Sequence, residues 1–454
     1  LAVVVAGAIG GLGARTGFAL VVFAAVTAVS IRKPAVGLAA LVASVPIQDG
    51  WLAQLGAVSL TWTRLLLFGL LIAVSIRLAR GWERVSIPVM AWVLFAYLLA
   101  LIASVINARD IGAWAEETYR WAVALVVLVV AWNVSRDHAG RRWLMAALGA
   151  GIAGSFVVAV YQVWTRAGPE TFNQRGLLRA YGLFGEPNPF AAYLEIAVLP
   201  VLAGGSAAVW KQNQGFPRLV VWLSFAAGAI GIVTLLLTQS RGGLLGFVAG
   251  IAIVVWYTTN RAGQMAVIAG CLLSLVVLST PPAQELREAF GLPAMFGGPA
   301  QITSENFAVN ERMAHWGAAY RMWQEQPLLG VGAGNVSERF RGLTPEWRFR
   351  IPRGHAHNNY LQAAAQSGLA GLICYLAVLS AAWRQCRRQL RRAATNEHRA
   401  FCAGALAVTG ALAVHGMFEY THVLSLGIPL SAIWAATGTA VGDRTYGTAT
   451  DGHH

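Results

Sequence analysis

The sequence predicts an all-α polytopic membrane protein with about twelve transmembrane helices. Of its 454 residues, 57% are hydrophobic and 12% are charged, and the mean hydropathy is +0.57. A soluble domain cannot bury that much apolar surface. The apolar stretches between charged segments run for roughly 17 to 24 residues, the length that crosses about 30 Å of hydrocarbon.

Hydropathy places the candidate spans in order along the chain. They lie near residues 35–49, 60–78, 86–106, 115–134, 141–164, 188–209, 217–238, 241–258, 263–280, 359–383, 400–418 and 422–441. Residues 1–31 are also apolar, but glycines and Arg15 interrupt them. This segment is either one bent helix or a short hairpin, which would raise the count to about thirteen or fourteen.

The distribution of positive charge predicts the orientation. The chain has 34 Lys and Arg against 20 Asp and Glu, and the excess falls in alternate loops. Cytoplasmic loops carry such an excess, so the placement favours topology and anionic lipid, rather than nucleic acid, as its explanation. The alternation places the C-terminus in the cytoplasm. The four cysteines lie in or beside apolar stretches without CxxC or zinc-ligand spacing, so no disulfide framework is indicated.

We expect four parts in the chain. Residues 1–280 form N-terminal transmembrane helices, including an outer loop at 165–187, and residues 359–441 form C-terminal transmembrane helices. Residues 281–358 form a long polar loop that, by the alternation of spans, faces away from the cytoplasm. Residues 442–454 form a cytoplasmic tail. A long outer loop is a common location of function.

The segment 306–326 of this loop has the pattern of an amphipathic helix. Apolar and aromatic residues recur at three-to-four-residue spacing at Val309, Met313, Trp316, Tyr320 and Trp323. Such a stripe is typical of a helix that lies on the membrane or packs on the bundle. Arg312 lies on another face of this helix and can take part in chemistry.

The strongest local signal for chemistry is His355-Ala-His357-Asn358, at the junction between the outer loop and the next span. Asn358 is a candidate N-cap, and the positive end of the helix dipole favours a neutral imidazole that accepts a proton. An interfacial histidine is more often a hydrogen-bonding residue than a base, and two of them would also suit a metal. We nevertheless expect no metal or other cofactor, because no aspartate lies between residues 138 and 442.

Arginines at other outer positions add to this signal. Arg241 opens a span within Ser-Arg-Gly-Gly, and an arginine at such a position is a functional-site hypothesis by default, although it can also set the depth of the span. The outer loop before residue 188 holds Arg175 and Arg179, and two prolines frame Asn188, which is either a site residue or part of a structural turn. Arginine forks and helix N-termini bind a diphosphate leaving group without a metal. The combination points to transfer from a lipid-linked diphosphate donor.

One glycine-rich stretch, Gly330-Val-Gly332-Ala-Gly334, superficially looks like a nucleotide-binding loop. It lacks the third glycine spacing, the preceding strand and the acidic ribose partner of that motif. We interpret it as a turn-rich link.

Over roughly residues 180–372 the chain resembles the bacterial O-antigen ligases. The shared segments, in chain order, are GEPNPFAAYL at 185–194, Arg241-Gly-Gly-Leu-Leu245 (RxxxL), Arg312 with Trp316, and His357-Asn358 followed after nine residues by Gly368-Leu-Ala-Gly371 (HNx9GxxG). The signature is fairly specific for the O-antigen ligase, polymerase and oligosaccharyltransferase superfamily. It is less specific for the individual member.

The resemblance implies a GT-C-like bundle in the bacterial inner membrane, with the large loop and the active site facing the periplasm. The implied donor is a polysaccharide on undecaprenyl diphosphate, and the implied acceptor is the lipid A core oligosaccharide. No metal or nucleotide is implied. His357 would take the proton from the acceptor hydroxyl while Arg241 and Arg312 hold the diphosphate, with inversion at the anomeric carbon.

Further residues are candidates for substrate contacts. Arg175, Arg179, Asn188 and Tyr360 are predicted to contact the donor or the acceptor. The last arginines of the outer loop crowd into residues 339–353, directly before His357. We expect Arg348, Arg350 and Arg353 among them to attract the phosphorylated core.

Three alternatives remain at this point. An O-antigen polymerase would use a second lipid-linked glycan as acceptor, and a protein O-oligosaccharyltransferase would use a Ser or Thr hydroxyl. Few residues follow the last predicted span, which argues against the extra C-terminal domain often found in the latter. A flippase or transporter would carry charged residues deep within several spans, whereas here the notable charges lie at outer ends, with Glu195 the main exception.

Overall fold

The computed structural model is an α-helical bundle. It describes residues 14–48, 51–55, 58–82, 85–174, 176–210, 218–280, 307–340, 343, 354–423 and 425–439. The helices are α1 (Ala14–Arg32), α2 (Pro34–Ala43), α3 (Trp62–Ala79), α4 (Val89–Ala103), α5 (Ile111–Val134), α6 (His138–Thr165), α7 (Pro187–Trp210), α8 (Arg218–Thr238), α9 (Arg241–Thr258), α10 (Arg261–Ser279), α11 (Phe307–Glu325), α12 (Val336–Phe340), α13 (Asn359–Arg392), α14 (Asn396–His415) and α15 (Gly427–Ala436).

Two small antiparallel hairpins depart from a purely helical chain. Strands β1 (Trp51–Leu55) and β2 (Val58–Thr61) precede α3, and the two-residue strands β3 (Asn173–Gln174) and β4 (Leu177–Leu178) precede α7. Both hairpins connect helices and leave the helical architecture unchanged. The structure is therefore consistent with the predicted all-α polytopic class.

Eight of the described helices are long and apolar enough to cross a membrane. Where the sequence predicted spans at 35–49 and 422–441, the helices α2 and α15 contain ten residues each. A ten-residue helix rises only about 15 Å, half of the hydrocarbon thickness, so neither of these crosses a bilayer by itself. The count of about twelve spans stays a prediction.

Helix α7 lies at the centre of the bundle. In its Pro187–Ser206 window 89% of the residues are buried, compared with 22% in the Leu219–Thr238 window of α8. Small residues allow neighbouring backbones to come this close. A Cβ at Gly404 of α14 would lie 2.5 Å from Cα of Pro200, a residue inside α7. The outer helix α8 instead presents Trp222, Leu223 and other large apolar side chains at the surface.

A buried pair of ionisable residues joins α7 to α14. Nδ1 of His415 lies 3.1 Å from a carboxylate oxygen of Glu195, and both side chains are almost fully buried. Buried charges in a bundle are normally paired in this way. Glu195, the exception noted among the charges of the spans, is thus half of a histidine–carboxylate pair at the end of α14 that leads into residues 416–426.

Helix α13 is broken between its first and second parts. Ser367 and Gly368 have non-helical backbone angles, with φ of 65° and ψ of −160° at Gly368. Because this region is accessible essentially only to glycine, Gly368 of the HNx9GxxG signature is a conformational requirement. The turn after α11 compensates for the break: the N–H groups of Leu369 and Ala370 donate to the carbonyl oxygens of Pro327 and Leu328.

The glycine-rich stretch 330–334 packs on the same break. The N–H groups of Val331 and Gly332 donate to the carbonyl oxygens of Ala365 and Gln366, at 2.8 and 3.2 Å. Gly330, Gly332 and Gly334 all have positive φ. The predicted turn-rich link therefore replaces hydrogen bonds that the interrupted helix cannot make for itself.

Gly368→Ala should lower the thermal stability of the purified protein. The new Cβ would lie 2.2 Å from the carbonyl carbon of Leu328, and the backbone strain alone is worth about 1–3 kcal/mol. The matched control is Gly154→Ala in α6, where a Cβ has no heavy atom within 4 Å. Thermal unfolding in detergent is the measurement. Equal melting temperatures for the two variants would contradict this account of the break.

Candidate active site

His357 lies at the start of α13, in the turn that the N-cap residue Asn358 stabilises. The side chain of Asn358 accepts hydrogen bonds from the N–H groups of Tyr360 and Leu361 and donates one to the carbonyl oxygen of Met417. The predicted N-cap is confirmed, and the third bond ties the start of α13 to the segment after α14. This segment, residues 416–426, is called the 416–426 loop below.

The backbone of His357 has a left-handed conformation, with φ of 49°. Such a conformation is uncommon for a residue with a side chain and persists where neighbours impose it. Here Nε1–H of Trp316 donates to the His357 carbonyl oxygen at 3.3 Å, and the His357 N–H donates to Nδ1 of His355 at 3.3 Å. The ring of His315 also packs edge-on against that of His357, with centroids 5.2 Å apart. Helix α11 thus fixes the position of the imidazole.

The carboxylate of Glu419, in the 416–426 loop, is the partner of His357. Nδ1 of His357 lies 2.7 Å from Oε1 of Glu419, and only 2% of the Glu419 side chain is exposed. The N–H of Tyr420 donates to the same oxygen at 3.0 Å. On the other oxygen, Asn188 donates a short hydrogen bond through Nδ2, and Nη2 of Arg312 lies at 3.8 Å.

The surroundings of Glu419 keep its carboxylate ionised. Burial alone would raise the pKa of Glu419, but the charge and hydrogen bond of His357, together with Arg312, hold it well below the ordinary value. Burial lowers the pKa of His355 to about 3, with a contribution from His357, so His355 is neutral at physiological pH. In the tautomer in which Nδ1–H of His357 donates to an ionised Glu419, Nε2 of the neutral ring can accept a proton.

Three arginines lie close to one another next to this pair. Nε–H of Arg179 donates to the carbonyl oxygen of Thr238, and its Nη2–H donates to Oδ1 of Asn188, both at 3.0 Å. Burial lowers the pKa of Arg179 to about 10, and the charges of Arg312 and Arg241 add to this effect while Glu419 opposes it. Arg179 is therefore charged at neutral pH, in the field of two other guanidinium groups.

Arg241 occupies the first residue of α9. The side chain of Ser240 caps this helix by accepting from the N–H of Gly243, and the preceding Gln239 has a positive φ of 50°. This turn exposes the Arg241 side chain at the helix N-terminus, where backbone N–H groups and the helix dipole favour anions.

Of the remaining predicted site residues, one lies in the described part of the chain and four lie outside it. Tyr360 is half-buried, and its hydroxyl donates to the carbonyl oxygen of Ala413 at 2.7 Å, a contact that holds α13 against α14. Four of the predicted residues lie outside the described part of the chain, and their roles stay predictions: Arg175, Arg348, Arg350 and Arg353.

Sequence reasoning missed Glu419. It lies 62 residues after His357, between two predicted spans, and no motif links the two positions. One signal was available: Glu419 is an acidic residue at the end of an apolar span, on the side where His357 and Arg241 were predicted. Asn188, by contrast, was predicted and proves to bridge Arg179 and Glu419.

The side chains of His355, His357 and Glu419 also form a group that could hold a metal ion. Their ligand atoms lie within 4.8 Å of one another. Two ligands of one tetrahedral zinc, each about 2.1 Å from the ion, would lie about 3.4 Å apart. The 2.7 Å between His357 and Glu419 is instead the length of a charge-assisted hydrogen bond. The expectation that no metal takes part stays a prediction.

Comparison with known proteins identifies the same region. Residues 226–376, which include Arg241, Arg312 and His357, match the family model described as O-antigen ligase. An uncharacterized protein of Haemophilus influenzae is 24% identical over 168 residues, and the alignment covers 34% of this chain and 41% of that protein. The chain thus aligns with less than half the length of this relative.

The family match contains the candidate base and two of the three clustered arginines. It confirms the resemblance that the motifs predicted, and it supports a membrane enzyme of the glycosyl-transfer type. Over residues 226–376 the chain is thus similar to the O-antigen ligase family, and this match supports the O-antigen ligase superfamily.

Proposed function

We propose that this protein is an O-antigen ligase that transfers a polysaccharide from undecaprenyl diphosphate to the lipid A core oligosaccharide. The reaction takes place at the periplasmic face of the bacterial inner membrane. One observation carries the proposal. The buried carboxylate of Glu419 contacts the candidate base His357 through one oxygen, and it contacts Asn188 and Arg312, a member of the arginine cluster, through the other.

The proposed base works as one half of a histidine–carboxylate pair. His357 uses Nε2 to take the proton of the acceptor hydroxyl while the hydroxyl oxygen attacks the anomeric carbon of the donor. Glu419 fixes the Nδ1–H tautomer and stabilises the imidazolium that forms. Burial strengthens this stabilisation, because little solvent screens the pair.

The proposed leaving-group site is the cluster of Arg179, Arg241 and Arg312. The bond between the anomeric carbon and the diphosphate oxygen breaks as the new glycosidic bond forms, and the electron pair remains on undecaprenyl diphosphate. Guanidinium forks and the α9 N-terminus stabilise this charge. A single displacement of this kind inverts the anomeric configuration and needs neither a metal nor a nucleotide.

The polymerase alternative differs only in the acceptor. The arginine cluster would serve the donor of either enzyme, so it does not discriminate between them. A reconstituted reaction discriminates between the ligase and the polymerase. Purified protein, lipid-linked polysaccharide and lipid A core should give a ladder of conjugated lipid A core, and omitting the core should leave the donor unchanged. Elongated lipid-linked glycan without any lipid A core would favour the polymerase.

In that assay His357→Ala should lower the transfer rate by about 10²- to 10⁴-fold, the usual contribution of a general base. Donor binding should persist, because the arginine cluster remains. His355→Ala is the matched control, since His355 contributes a hydrogen bond to the backbone of His357 and should have a much milder effect. If the His357 variant turned over at a near-normal rate, another residue would have to be the base.

Chelation should not affect transfer. The proposed mechanism assigns the histidine–carboxylate group to proton transfer, so EDTA should leave the rate unchanged and added magnesium, manganese or zinc should not increase it. The measurement is the rate of lipid A core conjugation before and after chelation. Loss of activity with EDTA and recovery with one divalent ion would assign His355, His357 and Glu419 to a metal site instead.

A further inference from the structure

A cavity of about 160 Å³ lies where the first turns of α3 and α15 meet α5. We call it the Gln48 cavity. Tyr119 adds an aromatic ring to its polar lining, which comprises Gln48, Thr61, Thr63, Arg64, Glu116, Arg120 and Ser425. One water occupies about 30 Å³ of liquid volume, so the cavity is large enough for a phosphate group.

Gln48 presents an unused hydrogen-bond donor. Its side chain is 5% exposed, and its Oε1 accepts from the N–H of Ser425 at 2.8 Å. Its Nε2 is buried and has no hydrogen-bond partner among the described residues. A buried amide donor without a partner costs free energy, and a ligand that accepts a hydrogen bond from it would remove this cost.

The positive groups of the Gln48 cavity favour an anion as that ligand. Arg64 lies in the first turn of α3, whose N-cap is Thr61, and the N-terminal residue of α15, Gly427, also lines the cavity. Two helix N-termini and a guanidinium group therefore converge on it. Glu116 is the acidic residue in the lining, but 62% of its side chain is exposed, so solvent screens its charge.

The cavity and the arginine cluster are linked through neighbouring residues of the 416–426 loop. Glu419 contacts Asn188 and Arg312, whereas the hydroxyl of the next residue, Tyr420, donates a short hydrogen bond to Glu117. Glu117 in turn accepts from Arg120 at 2.6 Å, and Arg120 lines the cavity. The proposed donor diphosphate is assigned to the arginine cluster, so a second phosphate site linked to this loop suits the acceptor.

We propose that the Gln48 cavity binds a phosphate group of the acceptor glycolipid. The inference rests on the proposed function, in which the acceptor hydroxyl must reach Nε2 of His357 while the arginine cluster holds the donor. Arg64 and Nε2–H of Gln48 donate to the phosphate oxygens, and the N-termini of α3 and α15 stabilise the charge. For a ligase this group is a phosphate of the lipid A core.

Gln48→Glu is the principal test. The change keeps the side-chain shape and the oxygen that accepts from Ser425, but it replaces the free donor by a carboxylate that repels phosphate. The KM for lipid A core should rise about tenfold, the value of one charge-assisted hydrogen bond, with the donor KM unchanged. With enzymatically dephosphorylated lipid A core, the variant and the wild type should have the same KM.

Arg64→Gln is the second variant, for use if Gln48→Glu lowers the melting temperature. Its KM for lipid A core should depend on the acceptor phosphate in the same way. The matched control is Arg109→Gln, which removes the same charge from an exposed position outside the cavity and should leave both KM values unchanged. Direct binding of phosphorylated and dephosphorylated lipid A core to the purified full-length protein, measured without donor, tests the cavity even if no transfer is seen.

Three results would overturn the inference. The wild type could bind or use both forms of lipid A core equally. The Gln48 and Arg64 variants could behave like the Arg109 control. The variants could instead weaken binding of undecaprenyl diphosphate, which would assign the cavity to a lipid diphosphate. A wild-type protein that binds phosphorylated lipid A core through this cavity yet transfers nothing would refute the proposed function and leave the cavity assignment standing.

Discussion

The candidate site depends on one buried charge, the Glu419 carboxylate. An ionised carboxylate that is 2% exposed is stable only when neighbouring groups replace its hydration. Here His357, Asn188 and the N–H of Tyr420 supply hydrogen bonds, and Arg312 supplies a positive charge. Each of these partners comes from a different part of the chain except Tyr420. The need to satisfy this one carboxylate therefore brings α7, α11, the start of α13 and the 416–426 loop to a common point.

The break in α13 determines where the partners of Glu419 can lie. Helix α13 begins one residue after its cap and breaks at Gly368, and the turn after α11 takes over the hydrogen bonds lost at the break. This docking fixes the end of α11 against α13. The arginine and tryptophan earlier in α11 then lie within reach of Glu419 and of the His357 carbonyl oxygen. The glycines of the signature thus act on chemistry indirectly, by setting the geometry of the backbone.

Local signals in the sequence were sufficient for much of this arrangement. The N-cap at Asn358 and the helix around Arg312 follow from residue type and spacing, and the structure confirms both. Spatial pairing was not predictable, because the partner of His357 lies 62 residues away and no periodicity relates two loops. The contact of Tyr360 with the backbone was not predictable either: its hydroxyl donates to the carbonyl oxygen of Ala413, and its predicted contact with substrate stays a prediction. Hydropathy also gave only approximate helix bounds, since the predicted spans at 35–49 and 422–441 contain the ten-residue helices α2 and α15.

We propose that Glu419 makes His357 a base, and the transfer rate of a Glu419→Gln variant tests this role. The single-turnover rate of transfer to lipid A core should fall about 10²-fold or more, as when the carboxylate of a histidine–carboxylate pair becomes an amide, with donor affinity little changed. Glu419→Asp should retain part of the rate, and Glu338→Gln, an exposed glutamate of α12, should retain all of it. A Glu419→Gln protein that transfers at the wild-type rate would contradict the account.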